Sequence, residues 1–386
     1  MSRFIEGNAI ALLENGAQYF PALLEAMEVA REEIQLESYI FEPDRIGWQV
    51  SAALRRAAAR GVVVRVLVDG FGGRSFVDRL LDELEQGGVE VMIYRREVRA
   101  LSLRRHRLRR LHRKLALIDG RVAFVGGINV IDDYPQGGPA HPRYDYAVRV
   151  EGPLVGQIAE AMRHMWRLVA WAHLRTRAAL PRTCPVPTAA AAGRMRAAFV
   201  IRDNLRHRRD IEDAYLDAIS QAEREVVIAC AYFFPGRRFR QAISEAARRG
   251  VRVVLLLQGL TDHPVLSYAT RALYPYFLSR GVRLFEYHQS YLHAKVAVVD
   301  DCWATVGSSN IDPFSLLLAR EANVIIDDAT FARGLRERLE RALREGATEL
   351  HHETLRRLPR LRRLASWLAY QFVRTAIGLA GYGGRH

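Results

Sequence analysis

The chain is written twice, and this duplication limits the possible folds more than any other feature. LHRKLALIDGRVAFVGGINVID (111–132) returns as LHAKVAVVDDCWATVGSSNID (292–312). Upstream, AAARGVVVRVLVDG (57–70) returns as EAARRGVRVVLLLQG (245–259), and QGGVEVMIY (86–94) as SRGVRLFEY (279–287). EEIQLESYIF (32–41) matches REVVIACAYFF (224–234) as a strand running into an aromatic turn. The repeated unit reads as a helix end, a glycine cap and a buried strand of Val, Ile and Leu. Strands alternating with amphipathic helices make each copy an α/β layer. At 386 residues there is room for two lobes, each with its own core. Three prolines and an alanine run in RTRAALPRTCPVPTAAAAGRMR (175–196) mark the join. The expected fold is therefore α/β. Two homologous lobes, 1–180 and 195–386, each a mixed β-sheet flanked by helices, are related by a pseudo-twofold.

A duplicated fold implies no activity by itself, so the polar residues kept in both copies matter most. His112, Lys114, Asp119 and Asn129 recur at the same offsets as His293, Lys295, Asp300 and Asn310. Lys114 and Lys295 are the only lysines among 57 lysines and arginines. Each follows a histidine by two residues and precedes an aspartate by five. On a strand, an H-x-K pair sends both side chains to one face. Two such faces meeting across a pseudo-twofold form a pocket of two imidazoles and two ammoniums. That crowding becomes favourable when an anion such as phosphate sits between the cations.

The set suits phosphodiester exchange. One neutral imidazole attacks phosphorus while the other, protonated, donates to the leaving alkoxide. The lysines and asparagines hold the non-bridging oxygens as charge develops. A compact ammonium fits where a planar guanidinium fork does not, which accounts for lysine surviving at these two positions in an arginine-rich chain. Cys184, Cys230 and Cys302 are scattered, with no C-x-x-C pair, which argues against a zinc cluster or a disulfide framework.

The duplicated H-x-K-x4-D resembles the signature of the phospholipase D superfamily, and the resemblance covers nearly the whole chain. More narrowly, ENGAQYFPALLEAM, RRLHRKLALIDGRVAFVGGINV, RDNLRHRRDIE, AYFFPGRRFRQA and VGSSNIDPFSLLLAREANVII are similar to the short, B-like bacterial cardiolipin synthases. The resemblance implies a ping-pong route through a phosphohistidine without metal or cofactor, with His112 as nucleophile and His293 as acid. It also implies that downstream carboxylates, matched here by Asp145 and Glu321, orient the histidines. Asp119 and Asp300 belong to the motif as residues that tie down strand and turn. Ser308, where the first copy has Gly127, is expected to add a phosphate contact.

A formal charge of +14 calls for a polyanionic partner, either an anionic membrane or nucleic acid. Residues 95–113 hold nine arginines and one acid, Glu97, with leucines interleaved. This segment reads as an interfacial helix or as a solvated loop. LRRLPRLRRLASWLAYQFVRTAIGLAGYGG (355–384) repeats the theme; it either docks at an interface or packs on the second lobe. No segment offers the ~20 uninterrupted apolar residues of a spanning helix, and MSRFIEGNAIALLENG lacks the pattern of a secretory signal.

Together these features point to a peripheral enzyme on the cytoplasmic face of the cell membrane. It would transfer a phosphatidyl group from one phosphatidylglycerol to the hydroxyl of another and release glycerol. Hydrolysis at the same intermediate, a nuclease of the same superfamily and a lipid-binding scaffold are the alternatives. The nuclease would call for an aromatic stacking platform along a basic groove, and none is evident. Glu37 reads either as a cleft residue or as a carboxylate paired with arginine. His351 and His352 read as exposed tail residues.

Overall fold

The computed structural model describes residues 3–95, 109–134, 138–173, 190–203, 206–260, 263–312, 319–356 and 359–377. Most of the expected join, and the centre of the arginine-rich 95–113 segment, lie outside these residues.

The first copy runs β1 (Ile5–Glu14), α1 (Asn15–Val29), β2 (Glu33–Ser38), α2 (Arg45–Ala59), β3 (Val63–Asp69), α3 (Arg74–Arg79), α4 (Leu81–Gln86) and β4 (Glu90–Tyr94). It continues through β5 (Arg110–Leu111), β6 (Lys114–Ile118), β7 (Val122–Gly126), β8 (Tyr146–Glu151) and α5 (Leu154–Ala172). The second begins with β9 (Met195–Arg202), α6 (Asp210–Gln221), β10 (Glu225–Cys230), α7 (Arg237–Arg248), β11 (Arg252–Gln258), α8 (Pro264–Arg271), α9 (Tyr274–Leu278) and β12 (Arg283–Tyr287). After these come β13 (Lys295–Val299), β14 (Trp303–Gly307), β15 (Ala319–Asp327), α10 (Ala329–Gly346), β16 (Ala347–Leu350), α11 (His352–Arg356) and α12 (Arg360–Ile377).

The repeated glycines explain the repeated units. Gly61 and Gly250 sit at φ of +88° and +91°, between α2 and β3 and between α7 and β11, a left-handed turn that a Cβ would strain. The strands that follow are buried on both faces. They pair in parallel with their neighbours, β2 with β3 and β10 with β11, as near-continuous Val/Leu runs require.

The strands form one mixed sheet in the order β16-β12-β11-β10-β13-β14-β15-β9-β1-β8-β7-β6-β2-β3-β4. Reading outward from the antiparallel β1–β9 contact, the two halves mirror each other, which is the expected pseudo-twofold. One face departs from the expectation of separate cores. A single apolar cluster there runs from Leu154 and Met162 of α5 to Leu335 and Leu339 of α10, and includes Leu115, Val148, Val296 and Val324. The opposite face carries two clusters, one beneath α1, α2 and α4 and one beneath α6 to α9. The lobes are therefore halves of one body joined through a common layer, which fixes their relative position and any site between them.

Candidate active site

The motif histidines stand just outside the strands. Lys114 and Lys295 are the first residues of β6 and β13, while His112 and His293 precede them in extended segments. The reason lies across the lobe boundary. β5 pairs in parallel with β15 of the second half, and the His112 N–H donates to the Arg320 carbonyl at 3.0 Å. In mirror fashion, Leu292 bridges Tyr144, and the His293 N–H donates to the Tyr144 carbonyl at 2.8 Å. Each histidine is thus carried by one half and pinned by the other.

The carboxylates are crossed in the same way. His112 Nδ1 is hydrogen-bonded to Glu321 Oε2 at 3.1 Å, and His293 Nδ1 to Asp145 Oδ2 at 2.6 Å. A carboxylate accepts, so each ring donates its Nδ1–H and keeps Nε2 for chemistry. Both rings sit in a buried, cationic setting. Burial holds the His112 imidazole below its ordinary pKa, against the pull of Glu321. His293 is driven further down by burial and by the charges of Lys295 and Arg143. Burial pushes Asp145 up to about 6.

The lysines are nearly inaccessible, 3% exposed for Lys114 and 1% for Lys295. Lys114 Nζ donates to the His112 carbonyl at 2.6 Å, and Lys295 Nζ donates to that of His293. Burial lowers both ammoniums, Lys114 to about 7, although Glu321 favours the charged form of Lys114 and Asp145 that of Lys295. The predicted crowd of cations is thus partly offset by two built-in carboxylates. What remains is poised to gain from an anion.

The asparagines are held by the aromatic turns. Asn129 Oδ1 accepts from the Ile40 N–H at 3.1 Å, and Asn310 Oδ1 from the Tyr232 N–H at 3.4 Å. Asp119 and Asp300 take no part at the reacting centre. The Asp119 carboxylate accepts from the N–H groups of Arg31, Glu32 and Glu33 at 2.8–3.0 Å. Asp300 does the same for Glu223, Arg224 and Glu225 at 2.7–2.8 Å. Both adopt left-handed backbone, φ 50° and 52°. Asp119→Ala is expected to cost about 1–3 kcal/mol by removing three hydrogen bonds to a carboxylate and straining φ, read by urea denaturation.

Ser308 departs from its expected role. It is fully buried, and its hydroxyl donates to Glu321 Oε2 at 2.6 Å, so it braces the carboxylate that holds His112 and is not offered to phosphate. The first copy has no room for this brace, because a Cβ at Gly127 would collide with the Asp145 carboxylate. Aspartate, one methylene shorter than glutamate, keeps its carboxylate over the backbone and requires the glycine. Glu37 is the arginine-paired carboxylate: Arg113 Nη2 donates to its Oε1 at 2.8 Å and to the Ala161 carbonyl at 3.2 Å. His351 and His352 are exposed.

Three further residues belong to the site. Asp69 Oδ2 accepts from the Leu111 N–H, and Gln258 Oε1 from the Leu292 N–H, both at 2.7 Å, so each fixes the peptide before a histidine. Their signal was present at the aligned strand ends VLVDG and LLLQG. Tyr39 packs its ring 4.8 Å from the His112 ring and 5.4 Å from Lys114 Nζ. Its counterpart in the second copy is Ala231, so side-chain chemistry breaks the pseudo-symmetry here.

A family model described as "Cardiolipin synthase, PLD-like domain" matches residues 23–166 and again 215–343, one match in each half. The chain belongs to this family. It is 42% identical to Cardiolipin synthase B of Escherichia coli (strain K12) over 98% of its own length and 90% of that protein. Identity to a major cardiolipin synthase of Bacillus subtilis is 31%, over 86% of this chain and 68% of the other. Among solved structures, a phosphatidylserine synthase of Haemophilus influenzae superposes with a TM-score of 0.74 at 15% identity, covering 99% of this chain and 97% of that one. The last likeness speaks to the fold alone.

Proposed function

We propose that the protein is a cardiolipin-forming phosphatidyltransferase working on phosphatidylglycerol at the cytoplasmic face of an anionic membrane. His112 Nε2 attacks the phosphorus of one phosphatidylglycerol. The charge of the incoming diester offsets the cations around His293, so its ring takes up a second proton at Nε2 and gives it to the alkoxide as the bond to glycerol breaks. His293 then takes the proton from the hydroxyl of a second phosphatidylglycerol, whose oxygen displaces His112 from phosphorus. One diester is exchanged for another, so no outside energy source is required. Lys114, Lys295 and the carboxamide NH₂ groups of Asn129 and Asn310 donate to the non-bridging oxygens.

The observation that carries the reading is the pair of crossed contacts, His112 on Glu321 and His293 on Asp145, with both lysines buried beside them. The two halves thus converge on one centre. The free thiols of Cys230 and Cys302 suit a reducing compartment. No helix among the described residues is long and apolar enough to cross a membrane. Incubation with phosphatidylglycerol vesicles tests the proposal. Equal amounts of cardiolipin and glycerol support it, whereas phosphatidic acid alone would make the protein a hydrolase. Nicked plasmid without lipid product would make it a nuclease.

The ionisations give a further expected result. Lys114 loses its charge as pH rises through about 7, and Asp145 loses its charge as pH falls through about 6. A plot of kcat/KM against pH should therefore fall on both sides, on the acid side as Asp145 is neutralised and on the alkaline side as Lys114 and His293 discharge, the limbs belonging to the coupled cluster. The bound diester raises the ammonium, so the alkaline limb of kcat should lie at higher pH. A flat profile from pH 6 to pH 9 would contradict the role given to Lys114.

A further inference from the structure

Helix α12 has two apolar faces. One packs on the second half, with Val373 buried and Ser366, Ala369 and Tyr370 partly buried. Tyr370 sets its ring 5.5 Å from Phe234, and its hydroxyl accepts from Arg240 Nη1 at 3.4 Å. The other face is open to solvent, with Leu361 79%, Leu364 52%, Leu368 53% and Phe372 66% exposed. Their spacing of three, four and four residues makes one stripe, flanked by Trp367. A helix already anchored by packing gains nothing in water from a second apolar stripe, so this face has another partner.

The charges identify that partner as an anionic bilayer. After Glu353 the sequence contains no acid, while Arg360, Arg362, Arg363 and Arg374 ride on the helix. All four are exposed, and none makes an ion pair among the described residues. The helix packs along α8, and a cavity of about 340 Å³ beneath its first turns is lined by Arg362, Arg363 and Trp367 together with Tyr268, Pro275 and Glu286. A second copy docking by twofold symmetry would oppose these arginines to themselves.

We propose that α12 lies in the interface of an anionic bilayer, with Leu361, Leu364, Leu368 and Phe372 among the acyl chains and its arginines on lipid phosphates. The helix is tied to the reacting centre. Tyr370 packs on Phe234, whose N–H donates at 2.7 Å to the carbonyl of Ile311, the residue after Asn310. This inference deepens the transferase reading and rests on it for its biological sense, but its test does not depend on turnover.

The test is co-sedimentation of the full chain with vesicles of phosphatidylcholine, with and without phosphatidylglycerol. The wild type should bind only vesicles containing phosphatidylglycerol. Leu364→Asp/Leu368→Asp and Arg362→Glu/Arg363→Glu should each weaken that binding at least about tenfold. Both should keep wild-type circular dichroism and wild-type turnover of a short-chain phosphatidylglycerol below its micelle concentration. Wild-type vesicle binding by either pair overturns the proposal. So does a wild-type dimer that the leucine pair abolishes while vesicle binding persists. If no protein turns over the short-chain lipid, the transferase reading fails, and the sedimentation arms still decide the role of α12.

Discussion

His112→Ala and His293→Ala are each expected to lower phosphatidyl transfer by roughly 10³–10⁴-fold. The loss should be chemical and not structural. Each histidine's backbone N–H is held by the opposite half, at the Arg320 and Tyr144 carbonyls, and truncating a ring leaves those bonds intact. The two variants should also differ from one another. With a phosphatidyl ester whose leaving group needs no proton, His293→Ala retains the nucleophile and should give a burst of leaving group with an acid-labile phosphoryl label on the protein. His112→Ala should give neither. A label on His112→Ala and none on His293→Ala would exchange the two roles. Turnover above about a tenth of wild type in either variant would remove the two-histidine mechanism altogether.

Lys114→Arg is expected to lower kcat at least about 100-fold while leaving the net charge unchanged. The ammonium is 3% exposed and directed onto the His112 carbonyl at 2.6 Å, with the Tyr39 ring 5.4 Å away. A guanidinium fork entering that space displaces Tyr39 or the His112 peptide, either of which moves the nucleophile. Lys114→Met should be equally inactive, yet more resistant to urea by roughly 1 kcal/mol, because it removes a buried charge that the free protein only partly compensates. The combination of lost activity and gained stability is the signature of a residue kept for chemistry. Near wild-type activity in Lys114→Arg would leave the survival of lysine there without a physical account.

Much of the site was legible because the chain repeats itself. His112, Lys114 and Asn129 could be matched to His293, Lys295 and Asn310 by offset alone, and the glycine caps placed the strands between them. The braces were harder to read. Gly127 and Ser308 differ in sequence without saying why, and only the unequal reach of Asp145 and Glu321 accounts for the difference. Tyr39 looked like any aromatic in a turn until its ring was found against His112. The C-terminal segment suggested either packing or docking, and the structure gives α12 one face for packing and leaves an apolar face open.

The sequence alone determined the two α/β halves and which histidine, lysine and asparagine recur at matched offsets in both. Local periodicity and glycine placement report which residues share a strand and where it turns. Tertiary structure decided which carboxylate serves which imidazole. Those partners lie 209 and 148 residues apart, beyond the reach of any local period. Their pairing follows from β5 pairing with the first two residues of β15 and from the apolar layer that α5 and α10 share. That shared layer locks the halves together, so that each half orients the histidine carried by the other.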